Sequence, residues 1–315
     1  MIERARDAGG SAGSLHRTGV RFGVSPGRLI AIAVLAALPG VAPAQAPAPF
    51  AAFDRASDPV LNDPHDLTVG PDGRLYVADK LGARIAVMDA ETLELVEVIG
   101  AGRFPEIRDI SFRPDGATVL AVTGLGQALE IAAVDVPEPM VTAAVPAPRT
   151  EGALAHSSGA IVAVSSATGE IVRRDPDGTM TRADAQLWGA HDIAEAPDGS
   201  LWIADTRGRR LVRVSLDFTV LGVLDHPKFG FVGPRYLDVD PAGRLVVADQ
   251  DAHRILLIDP AGSDGGTLIG VLGDGLPGEG PGKFDDPEGV AVDGSRYYIS
   301  DSDNNRVVRY SVVTN

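Results

Sequence analysis

The hydrophobic and polar positions of residues 190–214 fall into three short runs. Ala190-His191-Asp192-Ile193-Ala194 comes first. The turn Pro197-Asp198-Gly199 separates it from Leu201-Trp202-Ile203-Ala204-Asp205, and a loop leads to Arg210-Leu211-Val212-Arg213-Val214. Runs of this length, rich in apolar and β-branched residues and bounded by turn formers, predict strands rather than helices. The turn has a plain physical reason. Proline presets φ at its start, aspartate bonds its own backbone, and glycine takes the positive φ of the exit.

The unit recurs. Its second run ends at Asp79, Thr123, Ser165, Asp205, Asp249 and Asp301, at spacings of 44, 42, 40, 44 and 52 residues. A period of about 40–50 residues built from short strands is that of propeller blades. Five copies leave room for a fourth strand after the third: Leu93 to Ile99, Pro139 to Val145, Thr179 to Ala183, Thr219 to Leu224 and Thr267 to Leu272. The sixth copy lacks one, and Phe50 to Asp54 stands unused before the first copy. The pattern therefore predicts an all-β, six-bladed β-propeller of four-stranded antiparallel blades, with the N-terminal strand completing the last blade. Such closure leaves no long open edge.

A second pattern is an aspartate followed five residues later by arginine: Asp79/Arg84, Asp205/Arg210, Asp249/Arg254 and Asp301/Arg306. Where the aspartate is replaced (Thr123, Ser165), the arginine is replaced too (Ala128, Glu170). Joint loss points to a bonded pair bracing the loop between the second and third strands.

Composition fits this picture. The 315 residues include 37 glycines and 23 prolines, with 44% apolar residues, as expected for a turn-rich folded chain. There is no cysteine, which excludes disulfides and thiolate chemistry. Residues 1–46 read as an export signal: Arg17, Arg21 and Arg28 precede the apolar run Leu29 to Leu38, and Ala44-Gln45-Ala46 has the small-x-small form of a cleavage site. The expected mature protein, residues 47–315, is a single propeller domain, periplasmic or secreted, with no stable membrane span after cleavage. It keeps 23 basic and 41 acidic residues, a net charge of −18. That field repels phosphate backbones, so nucleic acid is excluded as a partner.

Residues 284 to 307, with Pro287-Glu288-Gly289-Val290-Ala291-Val292-Asp293-Gly294 and then Tyr298-Ile299-Ser300-Asp301-Ser302-Asp303-Asn304-Asn305-Arg306-Val307, resemble an NHL repeat. So does the glycine-rich lead-in Gly273 to Gly282. The resemblance runs through the expected mature chain, strongest in copies one, four, five and six. It implies the same six-bladed propeller and leaves the activity open, because one fold hosts many functions.

In a propeller, the first strand of each blade lines the axis and its opening residue sits at the channel mouth. In chain order that position holds His65, Arg108, Glu151, His191, Arg235 and Glu288. The order His-Arg-Glu occurs twice, so like residues should face each other across the ring. Asp66, Asp109, Asp192 and Tyr236 follow directly. One reading pairs Arg108 with Glu151 and Arg235 with Glu288 as neighbours satisfying each other. A second takes His65, Arg108, Glu151, His191, Arg235, Tyr236 and Glu288 as a site for a small anionic molecule or peptide, the arginines holding a carboxylate, or the propeller as a platform for another protein.

A third reading is a metal-dependent lyase or hydrolase, with His65, His191, Glu151 and Glu288 as metal ligands. The resemblance extends to peptidyl-α-hydroxyglycine lyases, in which histidines opening inner strands bind zinc near a tyrosine and an arginine. His65 and His191 match that position, with Tyr236 and Arg235 available in type. The third histidine is missing, so a glutamate would complete the set. Gluconolactonase-type propellers imply calcium instead, but their asparagine ligands are not evident here. His156, His226 and His253 fall in turns or loops and read as solvated. Trp188 and Trp202 read as core or inter-blade packing, with ligand stacking by Trp188 as the alternative.

Overall fold

A computed structural model describes residues 49–132, 136 and 138–312; the leader assigned to residues 1–46 lies outside them. The described chain forms six four-stranded antiparallel sheets. Their inner strands are Pro64–Val69, Ile107–Phe112, Thr150–Ala155, Ala190–Glu195, Pro234–Val239 and Pro287–Asp293. The second strands are buried along their length, Arg296 at the start of the last one excepted, because neighbouring blades cover both faces. That explains why they read as near-continuous apolar runs, whereas the outer strands alternate. The core is a set of layers between blades. Trp202, Leu211, Phe229, Leu237 and Leu256 form one of them.

The ring closes as expected. Ala52–Ala56 pairs antiparallel with Arg306–Ser311, matching Phe53 with Tyr310 and Ala56 with Val308. An ion pair from Arg309 to Asp54 at 2.6 Å reinforces the seam. The closing strand starts at Ala52 rather than Phe50. The first blade's outer strand starts at Leu95 rather than Leu93, because Asp89 accepts the Glu91 and Thr92 N–H groups at 2.8 and 2.7 Å and folds that stretch into a turn.

The four aspartate–arginine pairs form, with Nε to Oδ2 distances of 2.6, 2.7, 2.9 and 2.8 Å in chain order. Each aspartate's other oxygen accepts a backbone N–H from the segment entering its own blade: Asn62, Trp188, Val232 and Asp285. The brace thus fixes the loops that surround the channel mouth. All four aspartates are fully buried. Asp205→Ala strands Arg210 and the Trp188 N–H, and is expected to cost about 3 kcal/mol, read as a lower urea midpoint. An unchanged midpoint would show that the brace contributes nothing.

Candidate functional site

Every inner strand carries a register irregularity within its first four residues, at the mouth. The bulge turns two consecutive residues toward the axis. Those pairs are His65-Asp66, Arg108-Asp109, Glu151-Gly152, His191-Asp192, Arg235-Tyr236 and Glu288-Gly289. The two-fold pattern expected at the first position extends to the second, with one exception: Tyr236 stands where two-fold symmetry with Asp109 calls for aspartate. Gly152 and Gly289 are required by packing. A Cβ on Gly152 would lie 2.6 Å from the His191 carbonyl oxygen, and one on Gly289 would lie 2.4 Å from that of His65. Gly289→Ala should therefore disturb the His65 backbone and cost about 1–3 kcal/mol, measured by thermal melting.

Tyr236 closes the channel. Its ring is fully buried, and its hydroxyl crosses to blade two, donating to the Arg108 carbonyl at 3.0 Å. Burial, with Glu288 and Glu151 nearby, holds the phenol well above its ordinary pKa, so it remains a donor. The hydroxyl also lies 3.4 Å from His65 Nδ1. The mouth is thus a cup with a tyrosine floor.

Around the cup the neighbour pairs form. Arg108 Nε is 2.9 Å from Glu151 Oε2, and Arg235 Nε is 3.7 Å from Glu288 Oε2. Neither contact is aligned as a hydrogen bond: Arg108 Nε, Glu151 Oε2, Arg235 Nε, Glu288 Oε2 and His65 Nε2 are buried atoms without a hydrogen-bond partner. Arg235 also donates to Gln250, whose amide donates to Asp286 at 2.6 Å and Glu288 at 2.9 Å. Burial raises the Glu288 carboxyl, but His65 and Arg235 overcome this, and its pKa is lowered overall. His191 differs from His65. Its Nδ1 donates to the Gly189 carbonyl at 2.8 Å, which leaves Nε2 as an acceptor. Burial, then the charges of Arg235, Arg108 and His65, hold its pKa well below the ordinary value, so it stays neutral.

Asp63, Lys80, Gln250 and Asp286 join this network without having been expected. Asp63 sits 3.5 Å from His65 Nε2, and its other oxygen is 2.5 Å from Lys80 Nζ. Lys80 and Gln250 directly follow the braced aspartates Asp79 and Asp249, so that position is a second register lining the mouth. Asp63 has φ 56°, the left-handed backbone that Gly189 provides in blade four. Aligning those two positions would have found them.

The expected metal ligands are not all gathered. Among the described residues, the group that brings three donors within 4.8 Å of one another is Asp63, His65 and Glu288, without His191 or Glu151. This set does not suit a cation as arranged. His65 offers one ring nitrogen to each carboxylate, Lys80 occupies Asp63, and Arg235 faces Glu288. It is an ion-pair network, and no step through zinc or calcium follows from it.

Farther along the inner strands from the mouth lies a cavity of about 530 Å³, lined also by the turns holding Pro114, Pro197 and Pro241. Asp66, Asp109, Asp192 and Asp238 line it, and no lysine or arginine does. These carboxylates staple adjacent inner strands. They accept the N–H groups of Ile110 (3.4 Å), Ala153 (2.6 Å), Leu237 (2.7 Å) and Val292 (2.7 Å), each on the next blade. An inner strand is a sheet edge, so those N–H groups would otherwise go unpaired. Burial raises all four carboxyl pKa values, that of Asp109 to about 7 and that of Asp238 to about 6; the charge of Asp109 adds to the rise at Asp66 and Asp192.

Two expectations fail nearby. His156 is buried, held by Ser158 Oγ at 2.8 Å and the Gly199 carbonyl at 3.2 Å, because its turn packs against the next blade. Trp202 is buried, but Trp188 is 65% exposed on the mouth face.

Residues 61–88 and 284–310 match the NHL repeat family. No curated protein matches the sequence. Among solved structures, virginiamycin B lyase from Staphylococcus aureus aligns with a TM-score of 0.59 at 14% identity, over 82% of this chain and 99% of that one. Aldose sugar dehydrogenase from Streptomyces coelicolor, in its PQQ-bound form, gives 0.61 at 13% identity, over 83% and 97%. An auxiliary nutrient binding protein from Bacteroides thetaiotaomicron gives 0.60 at 16% identity, over 80% and 69%. At such identities the likeness is one of fold.

Proposed function

We propose that this NHL-repeat, six-bladed propeller is an exported binding protein that takes a carboxylate-bearing ligand at its channel mouth. The observation that carries the reading is a set of idle hydrogen-bonding groups around one closed cup. Among the described residues, the terminal nitrogens of Arg108 and Nη2 of Arg235, all of them donors, have no protein hydrogen-bond partner. Charged donors gathered at one place without protein acceptors suit an anionic ligand. Guanidinium groups favour carboxylates through paired N–H donors. Glu151 and Glu288 keep the arginines oriented. The Tyr236 floor holds the ligand at the mouth.

The propeller is a common binding platform, and a nutrient-binding protein shares the fold. Among the described residues no helix is long and apolar enough to cross a membrane. Export to the periplasm or the medium is part of the proposal and rests on residues 1–46.

The reading is tested by saturation-transfer NMR with small carboxylates matched to their amides, such as acetylglycine and acetylglycinamide. Signal from the acids alone supports it; equal signal from both, or none, overturns it. The competing lyase or hydrolase reading requires stoichiometric zinc or calcium in unchelated protein, lost in His65→Ala. Metal analysis is expected to find neither.

A further inference from the structure

The apolar side chains left in water are unevenly distributed between the two faces. The first residue of each inner strand pairs with the last residue of the second strand, so the loops after the second strands emerge beside the mouth. Those loops and the segments leading into the blades carry six large exposed hydrophobics: Val60, Leu81, Leu125, Trp188, Val232 and Leu276. On the opposite face the described residues show only Val136, and the rest lie on outer strands. Single exposed hydrophobics are ordinary, but a set gathered around a polar cup on one face is the anatomy of a recognition surface.

The rim is tied to the cup residue by residue. Trp188 precedes Gly189, whose carbonyl orients His191, and its own N–H is anchored on Asp205 at 2.5 Å. Val232 is anchored on Asp249 at 2.9 Å, three residues before Arg235. Leu81 follows Lys80 and bonds through its N–H to the Asn62 carbonyl at 3.1 Å, beside Asp63 and His65. The backbone that carries these side chains is therefore held in place while they stand exposed. A small carboxylate in the cup would leave them in water.

We infer that the ligand of the mouth is a peptide that inserts its free C-terminal carboxylate between Arg108 and Arg235 and lays apolar side chains on the rim around Trp188, Leu81 and Val232. This rests on the proposed carboxylate site and specifies its ligand class. The free groups select the C-terminus over the N-terminus: the terminal nitrogens of Arg108 and Nη2 of Arg235 are donors, whereas Glu151, Glu288 and Asp63 are already engaged by Arg108, His65 and Lys80. Charge also disfavours a second copy as the partner, because each chain is strongly acidic, −15 over residues 1–315 and −18 over residues 47–315.

Intrinsic fluorescence gives a local readout, because the chain has two tryptophans and only Trp188 is exposed, Trp202 being 4% accessible. The probes are acetyl-Gly-Leu-Phe as the free acid, the same tripeptide as its C-terminal amide, and acetylglycine. The free acid is expected to bind about tenfold or more tighter than acetylglycine and to shield Trp188 from acrylamide quenching. The amide should bind about tenfold or more weaker than the acid. Trp188→Ala, at a side chain that is mostly exposed, should cut the tripeptide's affinity about tenfold. If the tripeptide and acetylglycine bind equally and Trp188 stays open to quencher, the peptide inference falls while the carboxylate site stands. If the amide equals the acid, the C-terminal anchoring is wrong. If none of the three binds, both readings fall.

Discussion

Replacing Asp109 with asparagine is expected to stabilise the protein at pH 8 by about 4 kcal/mol and to change it little at pH 4. In the folded chain, burial pushes the Asp109 carboxyl up to about 7, against the opposing Ala153 N–H. Unfolded, it titrates near 3.9. A folded pKa above the unfolded one contributes stability that is complete below about pH 4 and is lost as pH rises through 7. A gap of about three units corresponds to about 4 kcal/mol. Asparagine keeps an oxygen for the Ala153 N–H and never ionises. Asp66 and Asp192, also raised by burial and by the charge of Asp109, add to the same slope. The unmodified protein should therefore be more stable near pH 5 than at pH 8, despite its many ion-paired carboxylates. Urea midpoints of both proteins across this range test the point. An asparagine variant that is weaker at both ends would show that ionised Asp109 is well accommodated.

Arg108→Gln is expected to weaken binding of a carboxylate probe such as acetylglycine by about 30-fold or more, the scale of losing a charge-assisted contact. The variant also leaves the buried Glu151 without its closest cation, keeping only Ser166 Oγ at 3.2 Å and Arg149 at 3.7 Å on its other oxygen, so some stability will be lost with it. A second variant separates the two effects. Arg108→Gln with Glu151→Gln replaces the ion pair by a neutral pair, and is expected to recover the melting temperature without recovering affinity. Recovery of both would mean that Arg108 only props up the ring.

The fold was legible in the sequence because its determinants are local and repeated. The Pro-Asp-Gly turns, the alternation of the strands and the aspartate–arginine brace each recur, so errors in one copy are corrected by another. The first blade's outer strand starts late, at Leu95, because the Asp89 side chain captures backbone locally. The site was half legible. Position in the ring predicted His65, Arg108, Glu151, His191, Arg235 and Glu288, and the structure pairs the arginines with the neighbouring glutamates. Asp63, Lys80 and Gln250 were not found, because they precede or follow the strands and differ in type from blade to blade. The Tyr236 floor was invisible as such. A tyrosine replacing an aspartate in a register is readable, but its reach across to the Arg108 carbonyl is set by the diameter of the ring. The burial of His156 and the exposure of Trp188 depend on how adjacent blades pack at each face, which no single repeat encodes.

The central claim is that the mouth, and no other surface, holds a carboxylate. Ring signals of His191 during a titration with acetylglycine test it most directly. The account predicts saturable movement of the His191 signals, absent with acetylglycinamide and absent in the Arg108→Gln/Glu151→Gln variant. Unmoved His191 signals while the ligand binds elsewhere, or equal movement with the amide, would contradict it.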